Sequence, residues 1–337
     1  MRYIFLLVLN CIVWKANAQK VDFSIKNIFL PPEIAYYDNQ FSGLYIHEGK
    51  LFLMSESRLQ DKAEAKLYSI AIKDLEHQLR DTSFVLPYTK IPIKGLENLK
   101  VKMDAMGDEY EGLEAIVIKG NYVYLSVETS TPSNNCYILK GLLNDTAILL
   151  NDKDIILQPK PFTPMGTHIY NAGYEAMALS KKLLFSFFEF NYFPGSNNVN
   201  MTQLKSFRKL NTTTFPIKKI PFRITDITST GKNKFTGINF FYEGGGKDEV
   251  YRTPANETQN NSFIKDSSGY HSNCRLVSIK YKNGSFSWKP IWDLPREFRS
   301  YNWEGIAAYK SGYFLINDKY TMLKPYSSIL LYLFLKK

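Results

Sequence analysis

Five short segments of the chain begin with a hydroxyl or carboxyl residue, which is followed by a small residue and then an aliphatic one. Their first residues are Ser42, Glu114, Glu175, Thr236 and Glu304. If these residues occupy equivalent positions of one repeated unit, three carboxylates and two hydroxyls face a common axis. Such hard oxygen ligands suit calcium, and the absence of His or Cys beside them argues against zinc. The five residues are therefore predicted calcium ligands.

Carboxylates that face one axis repel each other, so they need compensation whether or not a metal binds. Three explanations other than a cation remain open for Glu114, Glu175 and Glu304. Some of them retain protons, or Arg and Lys side chains reach them, or they cap strand ends and bind water.

Four further acids stand at the other end of the same segments: Glu56, Glu128, Glu189 and Asp318. Each follows the first residue of its segment by 14 positions. A hairpin of that length brings its two end residues side by side at the open end. These acids are predicted to orient the metal ligands through water, or to pair with cations such as Arg58. A solvated acidic rim is the other explanation.

The loops that lead into the segments supply candidate ligand-binding residues. His168 precedes the Glu175 segment, Arg223 the Thr236 segment and Arg299 the Glu304 segment. These loops are expected to converge on one channel mouth, where a small anionic molecule or an envelope component would bind. A single loop histidine is more often a surface or structural residue, which is the alternative for His168.

The elements that must position these residues are hairpins. Each segment contains two short runs rich in β-branched and aromatic residues, joined by a polar turn. The segment starts recur at steps of 61 to 72 residues, which suits one four-stranded propeller blade. The predicted fold is all-β, a single five-bladed β-propeller closed by pairing of its N- and C-terminal strands. The polar stretch from Glu243 to Tyr270 is predicted to be a surface loop.

The N-terminal residues 1–18 have the features of an export signal. An apolar run follows Arg2, and Ala16-Asn17-Ala18 offers a small-residue cleavage site. The mature protein is therefore expected to be periplasmic or secreted, with residues 19–337 forming the propeller domain. No other apolar run approaches the roughly 20 residues that a membrane span needs.

Composition agrees with a β-rich protein, because aromatic residues make up 15% of the chain. The formal net charge of +10, which is 10 − 2 = +8 without Arg2 and Lys15 of the export signal, suggests anionic partners, although a solvated basic surface is the favoured explanation. The basic residues are nevertheless scattered, without the runs that follow a nucleic-acid backbone, so no nucleic acid is expected to bind. A monomer is expected. Cys136 and Cys274 fall in units that are not neighbours in a five-membered ring, which favours two buried thiols over a disulfide.

The segment starts resemble those of the SdiA-regulated family, as in Ser42-Gly43-Leu44 and Glu304-Gly305-Ile306. The resemblance extends over residues 42–320 as short motifs, and it implies an exported five-bladed propeller with calcium on its axis. The order hydroxyl, Glu, Glu, hydroxyl, Glu is also similar to that of the calcium-activated nucleotidases (apyrases), and the Glu-Gly starts are similar to those of esterase-like phytase propellers. The chain departs from these patterns at Thr236, where Ser is usual, and it lacks the nucleotide-contacting motifs of the apyrases.

Two classes of function follow from this pattern. In the first, the axial calcium polarises a phosphoryl or ester oxygen, and the protein is a calcium-dependent hydrolase. In the second, calcium is structural and the channel mouth recognises a ligand or an envelope partner without chemistry. Propellers host both classes, so the fold does not decide between them.

Overall fold

The computed structural model describes residues 21–58, 64–193, 197–207, 212–318 and 327–336. Strands dominate these residues, which confirms the predicted all-β class. The predicted export signal, residues 1–18, lies outside them. In chain order the strands are β1 (Phe23–Ile28), β2 (Phe41–His47), β3 (Lys50–Ser55), β4 (Lys66–Ala71), β5 (Thr89–Lys94), β6 (Tyr110–Lys119), β7 (Tyr122–Thr129), β8 (Asn135–Leu143), β9 (Ile148–Pro159), β10 (Ala176–Ser180), β11 (Leu183–Phe187), β12 (Asn198–Gln203), β13 (Thr212–Pro216), β14 (Arg223–Gly231), β15 (Lys234–Phe241), β16 (Lys265–Asp266), β17 (Gly269–Tyr270), β18 (Asn273–Lys282), β19 (Ser285–Asp293), β20 (Trp303–Tyr309), β21 (Gly312–Asn317) and β22 (Leu330–Leu335).

The strands associate in antiparallel sets of four. The sets β2 to β5 and β6 to β9 are joined by the parallel pair β5–β9 into one eight-stranded sheet. Strands β10 to β13 form another set, and β14, β15, β18 and β19 a further one. In the last set β20, β21 and β22 are completed by the N-terminal strand β1, with Phe23 opposite Leu335. The pair β16–β17 forms a small separate hairpin.

The first strands of these sets lie against one another. Strand β2 contacts β6 and β20, β10 contacts β6 and β14, and β14 contacts β20. These contacts link the five first strands in a closed circuit, and a smaller contact joins β14 to β2. Side chains at equivalent positions of β2, β6, β10, β14 and β20 therefore approach a common axis.

Alternating apolar residues on the first strands build the core between the sets. In β6, Ile116 and Ile118 pack on one side of the strand, whereas Ala115 and Val117 pack on the other, against Met177 of β10. This two-residue period is that of a strand buried on both faces. Full burial of one such aliphatic side chain stabilises the fold by about 1.5–3 kcal/mol.

Gly305 allows two first strands to approach closely. A Cβ atom at this position would lie 2.6 Å from Cγ2 of Ile316 and 2.8 Å from Cγ of Leu44 in β2. Any larger residue would push β20 away from β2. The glycine that follows Glu304 therefore has a packing role, and it helps to hold Glu304 beside the neighbouring set.

Helices are few and short in the described part of the chain, where they lie in the connections. They are α1 (Pro32–Ala35), α2 (Ile72–Gln78), α3 (Leu96–Ala105) and α4 (Thr258–Ile264). None of the described helices has the length and apolar character needed to cross a membrane. The stretch from Glu243 to Tyr270, predicted to be a surface loop, instead contains α4 and a 3-10 turn, Gly246–Tyr251.

The two cysteines of the described chain are separate free thiols, as predicted. Cys136 lies in β8 and Cys274 in β18, and both are fully buried. Burial raises the pKa of Cys136 to about 12, so this thiol stays protonated at neutral pH and is a structural residue.

Candidate functional site

Four first strands carry a bulge at the same point, and the bulged residue is a hydroxyl or a carboxyl residue. Pairing with the second strand skips Ser42 in β2, Glu114 in β6, Thr225 in β14 and Glu304 in β20. Glu175 directly precedes the fifth strand, β10. A bulge bends the strand and re-aims its side chain. The predicted order of hydroxyl, Glu, Glu, hydroxyl and Glu is therefore present, with Thr225 as the second hydroxyl.

The strand order corrects the prediction for Thr236. This residue lies in β15, the second strand of its set, and its hydroxyl shares a 3.0 Å hydrogen bond with the hydroxyl of Tyr313. The sequence repeat misplaced it because the segment from Thr236 to Phe241 has the same small–aliphatic start as a first strand. Thr236 does not line the cavity described below, so it is not among the residues near the axial acids.

The two hydroxyls at the bulges connect neighbouring first strands. Ser42 Oγ donates a 2.6 Å hydrogen bond to the carbonyl of Leu113, the residue before Glu114. Thr225 Oγ1 donates a 2.6 Å hydrogen bond to the carbonyl of Trp303, the residue before Glu304. Each hydroxyl therefore fixes the backbone that presents the next carboxylate, a role that sequence reasoning did not assign to it.

The acids predicted to orient metal ligands lie at the ends of the second strands and are almost fully buried. The exposed fraction is 4% for Glu56, 4% for Glu128, 0% for Glu189 and 6% for Asp318. In β15 the equivalent position is occupied by an apolar residue, Phe240. It follows Asn239, which pairs with Ile224 of the first strand β14. The explanation of a solvated acidic rim is therefore wrong for these four residues.

Three carboxyl groups converge closely and form a carboxyl triad: Glu56, Glu304 and Asp318. Their ligand oxygen atoms all lie within 4.8 Å of one another. The sequence had divided these residues between predicted ligands and predicted orienting residues. Within the described residues Glu114 and Glu175 belong to no group of acids as close as this one.

Burial of this many acids changes their protonation. Burial raises the pKa of Glu56 from its ordinary 4.5 to about 7, with Asp318 adding to the shift and Arg58 opposing it. Burial, then Asp318 and Glu56, raise the pKa of Glu304 well above its usual range. Without a cation, part of the triad therefore carries protons at neutral pH.

The same physical causes act on the neighbouring acids. Burial, helped by Glu56 and Glu128, holds the pKa of Glu114 well above its usual range. Burial also raises the pKa of Glu128 to about 8, with Glu111 adding to the shift. The cluster is therefore continuous across several first strands, and protons compensate part of its charge.

Two arginines neutralise another part of the negative charge of the acid cluster. Arg58 Nε donates to Glu56 Oε2 at the triad. Arg223 lies with Nε 3.6 Å from Glu189 Oε2 and Nη2 3.1 Å from Asp248 Oδ1. The guanidinium of Arg223 also lies 4.4 Å from the ring centre of Tyr251. This bears out the expected pairing of Arg58 with an acid and gives Arg223 a place within the cluster.

Some buried acid oxygens are left without a hydrogen bond among the described residues. These are Oε1 of Glu128 and Oε2 of Glu189. The contact between Glu189 and Arg223, at 3.6 Å, is an ion pair that is too long for a hydrogen bond. Buried polar atoms of this kind are normally satisfied, so the cluster has room for a proton, a water or a cation.

The acids form part of the lining of a cavity of about 1040 Å³. Nine acidic side chains but only four basic ones line it, although the whole chain has a formal net charge of +10. Tyr170, Tyr242 and Tyr301 add aromatic surface, and the Nζ atom of Lys247 lies 3.5 Å from the ring centre of Tyr170. A cavity of this size accommodates a small organic ligand.

Two of the predicted mouth residues do not line this cavity. His168 Nε2 is 2.9 Å from Asn134 Oδ1, and its ring stacks on Phe162 at 4.3 Å, so its contacts are those of a structural residue. Arg299 is likewise not a lining residue, whereas Arg296, from the same loop, is. Only Arg223 of the predicted mouth residues reaches the cavity.

Asp226 is a further acid that sequence reasoning did not place among the ligands. It follows Thr225 and accepts 2.7 Å hydrogen bonds from the backbone N–H groups of Ile227 and Ile306. The N–H of Leu44 also donates to it. Its carboxylate thus connects β14 with β20 and β2, and it braces the first strands at the axis.

No family model and no curated protein matches the chain, so the resemblance to the SdiA-regulated family stays a prediction. Among solved structures, the chain is similar to RS223-Beta-xylosidase, with a TM-score of 0.50 and 9% identity over 91% of this chain and 94% of that one. It is also similar to the allergen Mala s 1 of Malassezia sympodialis, with a TM-score of 0.48 and 10% identity over 91% of this chain and 92% of that one. The first similarity supports a β-propeller type of fold and, at this identity, concerns the fold alone.

Proposed function

We propose that this chain is a calcium-binding five-bladed propeller that hydrolyses an ester or phosphoester bond in the acidic cavity. The sets of four strands and the closed circuit of their first strands support five blades. The pairing of β1 with β22 supports closure of the last blade by the two ends of the chain.

The observation that carries the metal proposal is the carboxyl triad. Three carboxyl groups, of which those of Glu56 and Asp318 are buried and that of Glu304 is partly exposed, have oxygen atoms within 4.8 Å of one another. A cation between them would replace the protons that otherwise relieve their repulsion. Calcium accepts carboxylate and water oxygens in flexible geometry. None of the described cavity residues is His or Cys, the ligands that would favour zinc.

The remaining acids and arginines limit how the cation can be held. Arg58 already neutralises part of the charge of Glu56, so the cation must share that residue with a guanidinium. Glu304 and Asp318 supply the rest of the negative charge of the triad. Glu128, with its unpaired Oε1 and its place in the cavity wall, is available to bind water near the cation.

A calcium ion in this place would polarise a carbonyl or phosphoryl oxygen of a bound substrate. Other residues of the same cavity would then bind the rest of the molecule. Arg296 and Lys247 provide positive charge for an anionic group, and Tyr301 provides a flat apolar face. The same basic residues support a second candidate function, recognition of a small anionic molecule or envelope component without chemistry.

Export is part of the proposal, and it rests on the N-terminal residues 1–18 with their cleavage site before Gln19. Fractionation of cells that express the full chain, with N-terminal sequencing of the product, tests it. A product that begins at Gln19 outside the cytoplasm supports export, and an uncleaved cytoplasmic chain contradicts it.

Calorimetric titration with calcium tests the metal proposal. Glu304→Gln and Asp318→Asn each remove one charge from the triad and should weaken calcium binding at least tenfold. Glu297→Gln is the matched control, since Glu297 is an exposed residue of the same cavity outside the triad, and it should bind calcium like the parent. Equal affinity in all the variants would contradict the proposal.

The hydrolase part has its own test. The parent protein is assayed with p-nitrophenyl acetate and p-nitrophenyl phosphate, in calcium and in chelator. Turnover that requires calcium and is lost in Glu304→Gln supports hydrolysis. Calcium binding without turnover of either compound would favour the binding function instead.

A further inference from the structure

Two positive charges of the cavity wall have no acidic partner. Four basic side chains line the cavity, and two of them, Arg58 and Arg223, form ion pairs with acids. Lys247 and Arg296 form no ion pair among the described residues, although nine acidic side chains line the same cavity. Uncommitted cations in a cavity of ligand size are suited to bind an anionic group.

The turn that carries Lys247 shows why this lysine is unpaired. Both acids of the turn are already occupied. Asp248 pairs with Arg223 at 3.1 Å, and Glu249 pairs with Arg252 at 2.7 Å. These ion pairs fix the turn and leave Lys247 as its one charged side chain without an ionic partner among the described residues.

The ammonium group of Lys247 instead lies on an aromatic face from a different loop. Its Nζ atom is 3.5 Å from the ring centre of Tyr170, an exposed residue that also lines the cavity. The backbone on either side of Tyr170 is held by the hydroxyl of Thr131, which donates to the carbonyl of Ile169 and accepts from the N–H of Asn171.

This aromatic contact is a weak one for a lysine. An exposed cation–π contact stabilises less than a hydrogen bond between an ammonium group and an anion. The ring also offers no oxygen atom to the N–H donors of Lys247. An anionic group that enters the cavity would therefore take Lys247 from Tyr170.

Lys247 and the carboxyl triad belong to different parts of the cavity wall. The triad comes from the sets that begin with β2 and β20, whose first strands contact each other. Lys247 follows β15, and Tyr170 precedes β10. A substrate whose reacting bond lies at the triad would therefore meet Lys247 with another of its groups.

We propose that Lys247 is a specificity-determining residue, which selects substrates that carry an anionic group apart from the bond that is cleaved. Tyr170 holds the side chain of Lys247 in the free protein and releases it to that group. The inference rests on the proposed hydrolase function, and it specifies the substrate class as an ester or phosphoester with a separate anionic group.

Calorimetric titration with inorganic phosphate in chelator tests the anion site without calcium or turnover. Lys247→Met keeps the apolar stem of the side chain but removes its charge, and it should weaken phosphate binding at least about tenfold. Tyr170→Leu removes the competing ring, and it should tighten phosphate binding about two- to fivefold. A general loss of stability would not produce these opposite effects.

Two variants are matched controls for this titration. Lys232→Met removes the charge of an exposed lysine in the turn between β14 and β15, outside the cavity lining. Tyr170→Phe retains the aromatic face. Both should bind phosphate like the parent. Parent-like binding in Lys247→Met, unchanged or weaker binding in Tyr170→Leu, or no phosphate binding by the parent would overturn the proposal.

Two esters with acyl chains of equal length test the selection in the calcium-loaded protein. The parent should hydrolyse the mono-p-nitrophenyl ester of adipic acid with a kcat/KM at least about tenfold above that for p-nitrophenyl hexanoate, since only the first carries a carboxylate. Lys247→Met should lose this preference, mainly through KM, whereas Lys232→Met should keep it.

The outcomes separate this inference from the hydrolase function. A preference that is unchanged in Lys247→Met would overturn the selection by Lys247. Phosphate binding that depends on Lys247, without turnover of these esters or of p-nitrophenyl phosphate, would contradict the hydrolase function and support the anion site.

Discussion

The hydroxyl of Thr225 donates a 2.6 Å hydrogen bond to the carbonyl of Trp303, and the next residue, Glu304, belongs to the carboxyl triad. The same relationship recurs between Ser42 and Leu113, the residue before Glu114. A hydroxyl at one bulge thus positions the carboxylate at the next. The hydroxyls of Ser42 and Thr225 therefore act through the backbone of the neighbouring first strand.

Removal of this hydroxyl should therefore affect both stability and metal binding. Thr225→Val keeps the shape of the side chain and leaves the buried carbonyl of Trp303 without its donor, so the free energy of unfolding should fall by about 1–3 kcal/mol. Calcium affinity should fall several-fold because Glu304 loses its support. Denaturant unfolding and calcium calorimetry measure the two effects.

Thr236→Val is the matched control for that experiment, since the hydroxyl of Thr236 bonds only to Tyr313 among the described residues and Thr236 does not line the cavity. Its calcium affinity should equal that of the parent. Weaker binding in Thr236→Val, with parent-like binding in Thr225→Val, would restore the assignment made from the sequence.

Thr225 shows which part of the site the sequence could not supply. Ser42, Glu114 and Glu304 lie on first strands, and Glu175 directly precedes one. The sequence predicts these positions because each segment joins two regular runs. In the fourth set, the first strand β14 reads Arg223 to Gly231 and lacks the small–aliphatic start, whereas its partner β15 has it. The sequence pattern alone therefore favours β15 as the first strand of this set. Only the hydrogen-bonded register between β14 and β15 identifies Thr225 as the bulged residue.

The carboxyl triad could not be predicted from the sequence either, for a different reason. Each acid was recognised as an end of its hairpin, but Glu56, Glu304 and Asp318 come from two different sets that meet only when the first strands close their circuit. Tyr251 and Asp248 belong to an insertion that composition marked as a surface loop. Its folded turn brings Tyr251 to Glu189 and Asp248 to Arg223.

The raised pKa values predict an unusual dependence of stability on pH. The ordinary pKa of a glutamate is 4.5, whereas Glu56 titrates at about 7 and Glu128 at about 8 in the folded protein. At pH values between the ordinary pKa and these raised pKa values, the native state holds more protons than the unfolded state. The free energy of unfolding should therefore fall as the pH rises from 5 to 8 in chelator. Urea unfolding at both pH values measures this change.

Calcium should reverse that trend, because it binds the ionised carboxylates and so stabilises the folded protein more at pH 8 than at pH 5. Glu128→Gln should show a smaller decline in chelator than the parent, and Glu297→Gln the same decline as the parent. A calcium-induced gain in stability that is equal at both pH values would show that the triad does not exchange protons for the metal.

Asp226 provides a prediction that is independent of calcium. Its carboxylate accepts backbone N–H groups from Ile227, Ile306 and Leu44. Asp226→Asn replaces one accepting oxygen with a donor, so a buried N–H loses its partner, and the free energy of unfolding should fall by about 1–3 kcal/mol.

Urea unfolding in chelator checks that change in stability, and the control is Asp266→Asn. Asp266 is exposed and accepts from Ser268 alone among the described N–H donors, so its substitution should cost less than about 0.5 kcal/mol. Equal stabilities of the Asp226 and Asp266 variants would show that Asp226 does not brace the first strands.

Location of the cation is the most direct test of the central claim, that the carboxyl triad holds calcium. Crystals of the protein grown with calcium are measured for its anomalous scattering, with crystals grown in chelator as the control. A peak that depends on calcium and lies about 2.3–2.6 Å from carboxylate oxygens of Glu56, Glu304 and Asp318 is the predicted result. A peak between Glu114 and Glu175 instead, or no peak at saturating calcium, would contradict the account.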